Sequence, residues 1–135
     1  MKKSIIAIVL IQLIILIGCS KGDGGSTTPP TEPNITFDVD ASSANINPGS
    51  TFNFNVKLTS AMPSSQGIKI DISASEEVTG NSVSPQNPTT TSTSATTPVS
   101  VINLPQQKWV VTTVKVSSVA TPTNNATKTF RVVYK

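Results

Sequence analysis

Apolar and polar residues alternate with period two over most of the chain after residue 34. Ile35, Phe37 and Val39 fall on one side of an extended segment, with Thr36, Asp38 and Asp40 on the other. Phe52, Phe54, Val56 and Leu58 alternate with Asn53, Asn55 and Lys57, and Ile68, Ile70 and Ile72 with Lys69 and Asp71. Phe130, Val132 and Tyr134 repeat the pattern against Thr129, Arg131 and Val133. Successive side chains of a strand point to opposite faces, so this alternation predicts half-buried strands in antiparallel sheets. The interruptions carry turn chemistry: Asn47-Pro48-Gly49, Met62-Pro63-Ser64-Ser65, Gly80-Asn81 and the stretch 122–125. Strands are expected near 35–40, 51–59, 67–74, 77–83, 95–103, 109–118 and 127–135. About seven short strands in roughly 100 residues, with no helical period among them, predict an all-β sandwich.

A different pattern precedes them. Met1-Lys2-Lys3 is positive, and residues 5–17 are apolar except for Gln12. A membrane-spanning helix needs about 20 apolar residues, so this run has the length of a secretory leader. It closes on Leu16-Ile17-Gly18-Cys19. These four residues resemble the lipobox of bacterial lipoprotein signal peptides: an aliphatic residue, a tolerant position, a small residue and Cys. The resemblance implies that Leu16, Ile17 and Gly18 are read by the processing machinery. It also implies cleavage after Gly18 and a covalent lipid on Cys19. One acyl chain binds a membrane only marginally, at about 0.8 kcal/mol per buried methylene, whereas two or three chains anchor stably. In well-studied Gram-negative sorting an Asp after the Cys retains a lipoprotein in the inner membrane. Ser20 stands there instead, so the resemblance implies the outer membrane.

The sequence thus divides into a signal peptide at 1–18, a lipidated Cys with a Gly/Ser/Thr/Pro spacer at 19–34, and a domain at 35–135. Between Ser20 and Pro33 nothing apolar except proline is available for burial, which predicts a disordered tether. Its fourteen residues reach at most roughly 45 Å when extended. Lys21 and Asp23 resemble only faintly the acidic surface-export signal of Bacteroidetes-type lipoproteins, because Gly22, Gly24 and Gly25 replace most of the acids. Periplasmic and cell-surface faces both stay open. Within the domain, Pro48-Gly49-Ser50 leading into Phe52, Phe54 and Val56 resembles the start of the second strand in immunoglobulin-like domains of bacterial surface lipoproteins. That resemblance implies an immunoglobulin-like antiparallel β-sandwich, without the Cys–Trp–Cys core of antibody domains.

Charge and composition remove several functions. Ten basic residues against seven acidic ones give +3, but Lys2 and Lys3 leave with the leader. The mature chain is near neutral and lacks the basic stripe that nucleic acid requires. There is no His and one Cys. Ser-His-Asp and Cys-His catalysis, His-based zinc sites and multi-thiolate metal sites are excluded. Neither a catalytic residue nor a metal site is assigned, and no cofactor beyond the lipid on Cys19.

The remaining candidates are few. Asp38 and Asp40 share a strand face, with Asn45 and Asn47 nearby, but show no calcium-loop spacing. Glu76 and Glu77 point opposite ways if extended, unlike the facing carboxyls of a glycosidase. The Thr/Ser-rich stretch 84–100 reads as a polar loop leading into a Thr-rich edge strand, or as a glycosylated loop. Trp109 falls on the strand face opposite Val110, Val114 and Val116, as either an end cap or a partner or glycan contact. The expected function is a membrane-anchored, non-catalytic cell-envelope module that contacts an envelope protein or acts as a spacer. The alternative is a carbohydrate-binding accessory lipoprotein of a polysaccharide-uptake or adhesion system. The sequence leaves the oligomeric state open.

Overall fold

The computed structural model describes residues 31–84 and 86–135. The leader, Leu16, Ile17, Gly18, Cys19 and the spacer to residue 30 lie outside the described residues.

Eight strands form: β1 (Phe37–Val39), β2 (Ala44–Asn47), β3 (Phe52–Leu58), β4 (Ile68–Glu76), β5 (Thr90–Ser92), β6 (Thr96–Val101), β7 (Trp109–Ser118) and β8 (Asn125–Tyr134). They make a three-stranded sheet, ordered β1-β3-β6, and a five-stranded sheet, ordered β2-β8-β7-β4-β5. In immunoglobulin lettering this is A-B-E against A′-G-F-C-C′, a Greek-key β-sandwich. All pairings between these strands are antiparallel except β2 with β8, which is parallel.

That parallel pairing arises because the first strand is divided between the two sheets. β1 pairs with β3, and the chain then bends at 40–43 and continues as β2 along β8. The bend is fixed by short side chains. Ser42 N–H donates to Asn45 Oδ1 at 3.1 Å, and Asn45 Nδ2 reaches across to Arg131 O at 3.0 Å. Asn47 Nδ2 then donates to Thr51 O at 2.8 Å, closing the turn into β3.

The strands depart from the sequence pattern at three places, since β5 also forms, over Thr90–Ser92, where a polar loop is expected. β2 was not anticipated, because its four residues are bounded by Ser42-Ser43 and Pro48-Gly49. The expected strand at 77–83 does not form. Instead β4 runs on to Glu76 and the chain turns back, with Gly80 N–H donating to Glu76 O at 2.9 Å. Gly80 has φ +70°, a conformation that glycine adopts without a Cβ clash. The returning segment makes only an isolated bridge, Ser75 with Ser82. The Thr-rich stretch supplies β5 and β6, as an edge strand on each sheet.

The core fills the space between the sheets. Phe54 of β3 meets Phe130 of β8 edge to face, with ring centroids 5.0 Å apart. Val110, Val114 and Val116 line the inner face of β7 and are fully buried. Each such side chain stabilises the fold by about 1.5–3 kcal/mol. Among the described residues every buried apolar side chain lies between Ile35 and Val133. The compact unit Thr31–Lys135 carries this core.

That unit begins four residues before the expected boundary at 35. Glu32 and Pro33, placed in the spacer by composition, are tied to the β7–β8 turn. Glu32 Oε1 accepts from Ser118 Oγ at 3.1 Å, and Asn124 Nδ2 donates to Pro33 O at 3.0 Å.

The outer edge formed by β6 is closed to further pairing. Asn55 spends its backbone groups on Asp40, on the β1 side. Its partner Pro98 therefore faces the open edge. Proline has no N–H to offer there. Beyond it, Gln86 Nε2 donates to Ile102 O at 2.9 Å and Gln86 Oε1 accepts from Ile102 N–H at 3.0 Å.

Candidate functional site

Trp109 lies on the outer face of the five-stranded sheet, as the alternation of β7 requires. Its neighbours across the strands form a row. Trp109 is opposite Val133 of β8, and Val133 is opposite Ile46 of β2. Val133 is only 2% exposed although it faces outward, because these two larger side chains flank it. Ile46 is 67% exposed and Val78, on the turn after β4, is 94% exposed. Trp109 O accepts the Glu77 N–H at 2.8 Å, which brings that turn against the row.

A cation covers the indole. The Arg131 guanidinium sits 5.4 Å from the Trp109 ring centroid and donates to Glu77 Oε1 at 3.0 Å. A guanidinium at this distance is attracted by the π-face. Trp109, half-buried, therefore lies beside Val133, with the exposed Ile46 on the strand beyond.

The acidic candidates are dispersed. Asp38 pairs with Lys128, Asp71 with Lys69 and Thr89, and Glu76 with Lys108 at 2.7 Å. Glu77 takes Arg131 instead. The Lys108 ammonium, with the Thr79 hydroxyl, holds the Glu76 carboxyl below its ordinary pKa. Asp40 is bound by Asn55, whose N–H and Nδ2 each donate at 2.6 Å. These bonds, the backbone one first, lower the Asp40 pKa as well. Asn45 and Asn47 point into their own turns, so no calcium-type set assembles with Asp38 and Asp40. Among the described residues no three His, Cys, Asp or Glu side chains gather.

A site that the sequence reading missed lies beside β3 and β6. A cleft of about 570 Å³ opens there. Its rim carries Asn53 and Asn55 from β3, Asn87 from the segment before β5, Ser100 from β6, and Asp40. Phe54, Ile72 and Val99 supply apolar surface, with Pro98 beside them. Asn87 Nδ2 donates to Ser100 Oγ at 2.6 Å, which fixes the Asn87 amide. The Asn53 amide has no hydrogen-bond partner among the described residues. Among the described residues no Lys or Arg lines the cleft. The signal in the sequence was Asn at alternate positions of a strand, where asparagine is disfavoured. Asn87, more than thirty positions away, gave no hint of joining them.

No protein-family model, curated protein or solved structure matches the chain.

Proposed function

We propose that the chain is a lipid-anchored, non-catalytic protein of the bacterial cell envelope. Cys19 holds it at the outer membrane, and the β-sandwich is an interaction module for an envelope protein. The observation that carries the reading is the position of the Trp109 row. β7 is ten residues long, which at about 3.4 Å per residue separates its ends by roughly 30 Å. Ser118, which bonds Glu32, is at one end and Trp109 at the other. Trp109, Val133 and Ile46 therefore lie at the end of the sheet opposite the Glu32 contact. Apolar side chains rimmed by Arg131, Glu77 and Lys108 have the composition of a contact centre with a polar border. The lipobox at 16–19 supports the anchor, and Ser20 supports the outer membrane.

Palmitate labelling tests the anchor. The wild-type chain takes up label, whereas Cys19→Ala takes up none and accumulates as uncleaved precursor. Label on Cys19→Ala would sink the anchor. A photocrosslinking residue tests the contact face. Position 78 is expected to give a discrete adduct on intact cells and position 113, mid-strand on the same face, none. Equal yields at both positions would remove the Trp109 row as a contact centre. A second reading, in which the domain binds carbohydrate, is favoured by the cleft beside β3 and β6.

A further inference from the structure

We infer that the cleft beside β3 and β6 is a binding site for a neutral saccharide, with Asn53, Asn55 and Asn87 reading its hydroxyl groups. The inference gives the carbohydrate reading a location, rests on that reading alone, and does not depend on the lipid anchor.

Size comes first. At about 570 Å³ the cleft falls within the range of roughly 300–1,000 Å³ that holds small ligands. The chemistry of the rim comes next. A sugar hydroxyl both donates and accepts, and so does a carboxamide. Asn53 has its whole amide free. Asn55 and Asn87 have their Nδ2 groups turned to Asp40 and Ser100, and their Oδ1 atoms are left as acceptors. The Asp40 carboxylate has lone pairs beyond the two that Asn55 engages. Ile72, Val99 and Pro98 offer C–H surface against which the apolar face of a pyranose packs.

Charge decides which sugars. Among the described residues the lining carries no cation and the rim carries one carboxylate, so a phosphorylated, sulfated or sialylated glycan meets repulsion there. An extended peptide is disfavoured for a separate reason. Strand addition needs free N–H and C=O groups along an edge. At β6 the edge presents Pro98, and Gln86 and Asn87 already occupy Ile102 and the Ser100 carbonyl.

The test is an NMR titration of the domain 31–135. The probes are glucose, galactose and mannose, their α- and β-linked trisaccharides, and N-acetylneuraminic acid as the charged control. A neutral trisaccharide is expected to shift the side-chain amides of Asn53, Asn55 and Asn87 together with the Ile72 methyls, saturably, at about 1 mM, near the weak end of specific binding. Asn53→Ala is expected to weaken binding about tenfold while leaving the melting temperature unchanged, because its amide bonds nothing in the fold. Trp109→Phe is expected to leave the titration as it was. Absence of cleft shifts with every neutral probe overturns the inference. So do shifts centred on Trp109, or equal binding of the sialic acid. Palmitate labelling of the full chain reads out independently, so failure of the sugar site and failure of the anchor are told apart.

Discussion

Asn124 accepts the Ile35 N–H at 3.0 Å, joining residues 89 positions apart in the chain. Its Nδ2 donates to Glu32 Oε2 at 3.2 Å and to Pro33 O at 3.0 Å. One side chain in the β7–β8 turn thus fastens the segment that leads into β1. Asn124→Ala removes these bonds and is expected to cost about 1–2 kcal/mol. A urea midpoint measures the loss, and faster hydrogen exchange at the Ile35 amide locates it. Asn124→Asp keeps the acceptor but sets a second carboxylate against Glu32, so it is expected to destabilise as well, most strongly at neutral pH.

Thr112 is fully buried on β7, between Ala74 and Phe130, and its hydroxyl has no hydrogen-bond partner. An orphaned buried hydroxyl costs free energy that an isosteric methyl does not. Thr112→Val is expected to stabilise the domain by about 1 kcal/mol. Chemical denaturation measures this directly, and a loss of stability would contradict it.

Gly67 and Gly80 both have positive φ, +84° and +70°, yet their surroundings differ. A Cβ on Gly67 would lie 2.3 Å from the carbonyl oxygen of Ser92, in the neighbouring β5, whereas Gly80 faces open space. Gly80→Ala meets only the backbone penalty, about 1 kcal/mol. Gly67→Ala adds a clash that displaces β5, and is expected to cost about 3 kcal/mol. The order of the two melting temperatures is the check.

Asp40 gives the fold an acid limb. Its carboxyl is held below the ordinary 3.8 by Asn55, through the backbone N–H first and the side-chain amide second. The folded state therefore binds its proton less readily than the unfolded chain. The stabilisation is complete above pH 3.8 and is lost as pH falls through the lower folded value. Asn55→Ala leaves the backbone bond, so the carboxyl is expected to return only part of the way toward 3.8. A carboxyl NMR titration measures the shift.

How far the fold could be read from the chain depended on strand length and burial. β3, β4, β7 and β8 bury one face and so alternate plainly. β2 and β5 have four and three residues and lie at sheet edges, where register rather than hydrophobicity holds them. The stretch 77–83 reads as a strand because Val78 and Val83 look like strand hydrophobics. Val83 is buried, but Val78 stands on a turn that Gly80 makes possible. For Trp109 the alternation indicated the right face but not the Arg131 cover, which depends on the pairing of β7 with β8. The cleft was least visible, since Asn53, Asn55 and Asn87 converge only after the β4–β5 connection folds along β6.

The division of the first strand also decides how the domain resists tension. β2 runs parallel to β8, in register from Ala44 with Arg131 to Asn47 with Tyr134. Drawn apart through Thr31 and Lys135, the two strands slide lengthwise against each other. The bonds from Arg131 N–H to Ser43 O and from Lys135 N–H to Asn47 O are then stretched together rather than one after another. A sandwich begun with an undivided strand in the first sheet would have no such ladder between the segment that leads into the domain and the strand that ends it.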